Sequence, residues 1–188
     1  MAMKVYFLTS NPNKVKEVIP IFEEVGIEVE PLPGRKLEIQ ADSLEEIAKS
    51  AAEAAAREYK QRPIVLEDSG LFVHTLKGFP GPYSNYVYRT IGIEGILKLM
   101  EGVEDRRAHF ECAAACVCTD GLVEVEVGKV FGRIAEEPRG SGGFGFDPIF
   151  IPDGYDKTFA ELGTDVKLKI SHRAVAMRKI ARRLLTLF

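Results

Sequence analysis

Met3-Lys-Val-Tyr-Phe-Leu-Thr-Ser-Asn-Pro-Asn-Lys14 holds a strand, a turn and a helix start in succession. Residues 3–9 alternate and are β-rich, and Asn11-Pro12 is a good N-cap and first-turn pair. The helix that follows should run to Gly26, which sits where a C-cap glycine would. Residues 27–32 read as a second strand, so the chain opens β-α-β. Working outward, Pro31, Pro33 and Gly34 open a loop. Ser43-Leu-Glu-Glu46 matches a capping box, and the Ala-rich stretch up to Tyr59 predicts a second helix.

Pro63 ends that region. Residues 64–66 form a short apolar strand that leads into Glu67-Asp68-Ser69-Gly70, and residues 71–76 can extend it. Gly78-Phe-Pro-Gly-Pro-Tyr-Ser84 reads as loop, because two prolines and two glycines oppose regular structure. Residues 85–100 predict one or two helices broken near Gly92. Residues 107–119 and 122–135 alternate as strands joined by the hairpin signal Asp120-Gly121. A Gly-rich run over 140–147 precedes a strand at 149–151. Ser171 then caps a final helix with Met177, Ile180, Ala181, Leu184 and Leu187 on one stripe. This order predicts an α/β fold, a mixed sheet with helices packed on it. With 188 residues, no repeat and no Pro/Ser linker, residues 1–188 read as one domain.

A formal net charge of −3 argues against a generic nucleic-acid binder, although a local Lys/Arg cluster can still hold an anionic substrate. No apolar run approaches a membrane span, and the first strand is too short for a signal-peptide core. The expected setting is cytoplasmic, with no membrane partner. Cys112, Cys116 and Cys118 share one face of a strand. At about 3.3 Å per residue the first two lie too far apart to share a metal, so all three read as small core residues.

Four places could carry chemistry. At Thr9-Ser10-Asn11-Pro12-Asn13-Lys14 a helix start, hydroxyls and a lysine favour an anion, though a plain N-cap with a surface lysine also accounts for the pattern. At Glu67-Asp68 two carboxylates beyond a buried strand suit Mg²⁺, which takes one or two carboxylates and shares substrate phosphates. A strand points the two acids to opposite faces, so both can ligate only if the chain bends, which Gly70 permits. A solvated Asp-Ser-Gly turn is an equal reading. In the third place, glycines 140–145 allow close backbone approach, Phe144 and Phe146 could stack on a base, and Asp147 could accept from a ring N–H. The alternative there is a loop whose aromatics pack on the core. In the fourth, Lys167 and Ser171-His172-Arg173 surround another helix start, where a cap with solvated charges is the plainer account. Glu38, a lone acid in a loop, reads from spacing alone as surface charge.

Taken in order, Thr9-Ser-Asn-Pro-Asn-Lys14, Glu67-Asp-Ser-Gly-Leu71, Gly78-Phe-Pro-Gly-Pro-Tyr-Ser84, Gly142-Gly-Phe-Gly-Phe-Asp-Pro148 and Ser171-His-Arg173 resemble the inosine triphosphate pyrophosphatase family, also called XTP/dITP diphosphatases. The resemblance spans nearly the whole chain. It implies a curved, elongated sheet with two lobes, an active site in the cleft between them, and a homodimer. It also implies Mg²⁺-dependent hydrolysis of aberrant purine nucleoside triphosphates (ITP, dITP, XTP) to the monophosphate and pyrophosphate. By the same resemblance residues 10–14 bind triphosphate, Asp68 is the catalytic acid, and Ser69 touches substrate. Glu38 and Asp68 hold the metal with Glu67 close by. Phe144, Gly145, Phe146, Asp147, Lys167, His172 and Arg173 form the base pocket. Two departures stand out: Ser50-Ala-Ala-Glu-Ala54 replaces an Asn-Ala-x-x-Lys pattern on the second helix, and Phe146 stands where Tyr or Trp is usual. The rival readings are a Maf-type nucleotide pyrophosphatase, whose Ser-Pro-Arg-Arg-like turn is not matched here, and a non-catalytic nucleotide-sensing module.

Overall fold

A computed structural model describes residues 3–187. Residues 1, 2 and 188 of the expected domain, and the side chain of Leu187 on the last helix's stripe, lie outside the described part. Strand β1 (Met3–Leu8) buries Val5, Phe7 and Leu8. The Asn11 side chain caps α1 (Pro12–Glu23), accepting from the Asn13 N–H at 2.9 Å. The helix stops three residues short of Gly26, and that glycine, at φ 75°, turns the chain into β2 (Ile27–Leu32). β2 runs parallel to β1. Ser43 caps α2 (Leu44–Glu58) by accepting from the Glu46 N–H, and the alanine face of that helix is buried.

β3 (Ile64–Val73) departs from expectation. It passes unbroken through Glu67–Gly70, because its ladder with β4 (Arg107–Val117) is continuous from Ile64↔Val117 to Val73↔Ala108. Gly70 makes no bend. Its missing side chain instead lets the Gly81 carbonyl in, since a Cβ there would sit 2.2 Å from that oxygen. Residues 78–84 are likewise not all loop: Phe72 bridges Pro80, and Gly81–Tyr83 closes a 3₁₀ turn. Two helices follow, α3 (Ser84–Thr90) and α4 (Gly92–Leu99), broken at Gly92. β5 (Val123–Ile134) returns antiparallel to β4, and β6 (Phe150–Pro152) lies on β5. Two short helices absent from the sequence reading, α5 (Phe159–Leu162) and α6 (Thr164–Ile170), lead to α7 (His172–Leu187).

The sheet is open and mixed, in the order β2-β1-β3-β4-β5-β6. β4 shows why it holds helices on both faces. Cys112, Ala114 and Cys116 join the cluster under α1 and α7, whereas Ala113, Ala115 and Val117 join the one under α2. Small residues at both parities let helices seat closely on either side. The three cysteines are free and lie on one face, as their spacing requires. A third cluster, with Leu71, Phe110, Ile149, Phe150 and Phe159, fills the far end. Among the described residues no helix is long and apolar enough to cross a membrane.

One feature of the sheet makes room for a ligand. β1 pairs with β3 only at Tyr6↔Ile64 and Phe7↔Val65, so β3 runs on past the carboxyl end of β1. On β1's other side lies β2, reached through α1. This is the topological switch point of an open α/β sheet, the usual place for a ligand.

Candidate active site

A cleft of about 1020 Å³ opens there. Thr9, Ser10, Asn11, Asn13 and Lys14 form one wall, where β1 gives way to α1, with Pro12 starting the helix behind them. The first-turn amides are largely committed. Pro12 has none, the Asn13 N–H goes to Asn11 Oδ1, and the Lys14 N–H goes to the Asn11 carbonyl at 3.2 Å. The groups left for an anion are therefore chiefly side chains: the hydroxyls of Thr9 and Ser10, the Asn13 amide and the Lys14 ammonium.

The two acids of β3 face opposite ways around its free edge. Glu67 points inward and is fully buried. It pairs with Lys14, accepts from Ser69 Oγ at 2.9 Å, and lies 3.4 Å from Arg173 Nε. Burial by itself would raise its pKa, but Lys14, Arg173 and Lys36 hold it well below 4.5. Asp68 points to the loop before α2. There burial raises its pKa, and Lys36 and Lys14 only partly oppose the shift.

Lys36 joins the acids. Its Nζ is 2.7 Å from the Glu67 carbonyl oxygen, 3.1 Å from Asp68 Oδ1 and 3.4 Å from Glu38 Oε1. Glu38, with its side chain 59% exposed, thus reaches the same point as Asp68 although thirty residues separate them in sequence. Two carboxylates and a carbonyl that already converge on one ammonium fit a hard divalent cation. Among the described residues no group of three or more His, Cys, Asp or Glu side chains forms a metal cage. Such an ion would therefore depend on water and substrate oxygens for the rest of its shell, as Mg²⁺ commonly does.

The opposite end of the cleft is a polar pocket. Lys167 Nζ lies 2.6 Å from Asp147 Oδ2 and 2.5 Å from Glu17 Oε1. Glu17 also pairs with Arg173, whose NH2 group donates to Ser69 Oγ at 2.8 Å. Asp147 Oδ2 accepts the Phe144 N–H at 2.9 Å. Lys167 and Arg173 sit over the Phe144 ring, 4.7 and 5.4 Å from its centroid. Phe146 is nearly buried, with Tyr88 edge-on at 5.3 Å, and Gly145 turns between the two rings at φ 62°. His172 stacks on Phe110.

Of the residues that the family resemblance assigned to the site, all except Pro12 and Glu67 line the one cleft, and these two lie directly behind its walls; Ser171, Gly140 and Gly142, also singled out in the sequence, do not line it. Sequence reasoning missed Lys36, Tyr88 and Arg89, which line the cleft, and Glu17, which holds Lys167 and Arg173 from behind it. Glu17 left one faint signal: it lies three residues after Lys14, on the same side of α1. Lys36 left none, since a lysine in a loop reads as surface.

A mixed open sheet with cations and carboxylates gathered at its switch point defines a phosphate-handling α/β protein. The chain belongs to the Ham1 family, whose pattern matches residues 5–183. It is 67% identical over 184 residues to the dITP/XTP pyrophosphatase of Ignicoccus hospitalis, covering 98% of both chains. It is 54% identical to the protein of that name from Thermococcus kodakarensis, over 95% of this chain and 96% of the relative. The Staphylococcus aureus Ham1 protein shares its architecture with a TM-score of 0.82 at 30% identity, over 98% of this chain and all of the other. A HAM1 protein from Coxiella burnetii gives 0.84 at 28% identity, over 98% and 99%.

Proposed function

We propose that this protein is a nucleoside-triphosphate pyrophosphohydrolase that converts aberrant purine nucleotides (ITP, dITP and XTP) to the monophosphate and pyrophosphate. One observation carries the reading: a cationic turn and an acid pair share one cleft whose far end is a polar pocket. The residues of Thr9–Lys14 would hold the polyphosphate, with Lys14 kept in place by Glu67. Glu38 and Asp68 would hold Mg²⁺; when bound, the ion draws charge from the phosphate oxygens. We assign Glu67 to anchoring Lys14 and Arg173 rather than to the metal, because its side chain is turned to the other face of β3. Asp68 would orient the attacking water and accept its proton, a role more positional than basic, because a carboxylate that binds Mg²⁺ is a weak base.

The base would enter between Phe144 and His172. Asp147 makes its two hydrogen bonds through Oδ2, which leaves Oδ1 for the protonated N1 of a 6-oxopurine. Arg173 or His172 would donate to O6. Adenine, with an unprotonated N1 and a 6-amino group, would leave those groups unpaired, at a cost of about 1–3 kcal/mol each. We read residues 1–188 as one catalytic domain with two lobes about the cleft. A cytoplasmic setting is part of the same reading.

A homodimer belongs to the same proposal. Phe72, His109 and Phe131 form a cross-strand row on β3, β4 and β5, with ring centroids 4.9 and 5.4 Å apart, and Phe131 is 52% exposed. Phe79 and Tyr83, on the loop that Phe72 packs against, add exposed aromatic surface. A patch of this kind suits a second copy of the chain.

Hydrolysis of ITP, XTP, dITP, GTP and ATP, with and without Mg²⁺, tests the activity. The expected result is Mg²⁺-dependent release of pyrophosphate from the 6-oxo substrates, with ATP poorest. Orthophosphate as first product would place attack at the γ-phosphorus and overturn the reading. Asp68→Asn should lower kcat by about 10²–10⁴-fold while ITP still binds. Turnover like that of the unaltered enzyme would remove Asp68 from the chemistry.

A further inference from the structure

The loop over residues 33–42 brings a cation, not only an acid, to the site. The Lys36 side chain is 12% exposed, and its ammonium has exchanged most of its water for the oxygens of Glu67, Asp68 and Glu38. The other cations near the acids are held by partners deeper in the protein, Lys14 by Glu67 and Arg173 by Glu17. No residue of α2 lines the cleft. A divalent cation on Glu38 and Asp68 would need the oxygens that Lys36 holds, and two cations cannot share them without strong repulsion. Lys36 sits on a flexible four-carbon stem, on a loop without regular structure, facing the same space as Ser10 and Lys14.

We propose that Lys36 is a displaceable counterion: it neutralises Glu38 and Asp68 until a divalent cation takes their oxygens, and its ammonium then turns to the polyphosphate of the bound nucleotide. This rests on the assignment of Glu38 and Asp68 as the metal-binding pair. Two consequences follow that a loop staple would not produce. Metal binding and Lys36 compete, so removing the ammonium strengthens the metal. Once metal is in place, Lys36 holds phosphate, so removing it weakens a phosphate ligand.

The test titrates Mn²⁺ alone into the nucleotide-free protein by calorimetry, using wild type, Lys36→Met, Lys36→Gln and Asp68→Asn, and then pyrophosphate into the Mn²⁺-saturated proteins. Both Lys36 variants should bind Mn²⁺ on the order of tenfold more tightly than wild type, and pyrophosphate on the order of tenfold more weakly. Their melting temperatures should fall below wild type in chelator and recover with saturating Mn²⁺. Mn²⁺ affinity at or below wild type in both variants, or a melting deficit that Mn²⁺ leaves untouched, would overturn the competition. Unchanged pyrophosphate affinity would overturn the transfer to phosphate. Asp68→Asn reports separately: wild-type Mn²⁺ affinity there would mean that the acid pair itself has been misassigned.

Discussion

His172 lies against Phe110, ring centroids 4.7 Å apart and planes within 13° of parallel. Burial, and then the nearby charges of Arg173 and Lys167, hold its pKa well below 6.5, so it is neutral in the folded protein. The unfolded chain takes up a proton below 6.5 that the folded chain refuses. Stability from this residue is therefore complete above that pH and declines as pH falls, by about 1.4 kcal/mol per unit. His172→Gln should flatten this slope between pH 6.5 and 4.5, read as urea midpoint against pH; equal slopes in both proteins would acquit His172. Glu67 acts in a lower window. Its depressed pKa contributes stability that is present above 4.5 and lost as pH falls through the lowered value. At this scale the sequence was readable wherever the chemistry is local, as at Thr9–Lys14, where cap, hydroxyls and lysine stand together. Glu17 and Lys36 were opaque because their partners are remote: Glu17 meets Lys167 and Arg173 from 150 and 156 residues away.

Gly128 on β5 seats α7 on the sheet. A Cβ there would lie 2.3 Å from the His172 carbonyl oxygen and 2.5 Å from the Ala176 nitrogen, both backbone atoms that cannot swing aside. Gly128→Ala should push the start of the helix outward at a cost of about 1–3 kcal/mol. Because His172 and Arg173 are its first residues, KM for ITP should rise more than kcat falls. An unchanged melting temperature together with an unchanged KM would show that the helix is not held there. Caps made the longer helices readable: Asn11, Ser43 and Ser171 each accept the amide hydrogen bond that their position implies. The short ones escaped. Thr158 and Glu161 form a full capping box, but α5 is only four residues long and shows no periodicity. Gly70 misled for another reason, since a strand glycine can serve a bend or a close approach, and only the position of Gly81 decides which.

For the whole molecule, the alternation of elements was enough to give a mixed sheet with flanking helices. Strand order was beyond it, because that depends on pairings between distant segments such as Ile64↔Val117. The aromatic row on β3, β4 and β5 could be seen only once that register was known. Phe131→Glu would place a charge in the centre of the proposed dimer face and should shift the solution mass measured by light scattering from dimer to monomer, with the fold retained. A dimer that survives this change would put the contact elsewhere. The gap beside β3 has a consequence of its own. A bare strand margin invites a foreign chain to zip onto it and seed fibrils. Here an ammonium occupies the Glu67 carbonyl, the Ser84 hydroxyl takes the Leu71 amide, and Phe72 is closed off by Pro80. None of these, nor a metal ion in the ammonium's place, can pass the pairing onward, so a seam that opens to a small anion resists a foreign strand.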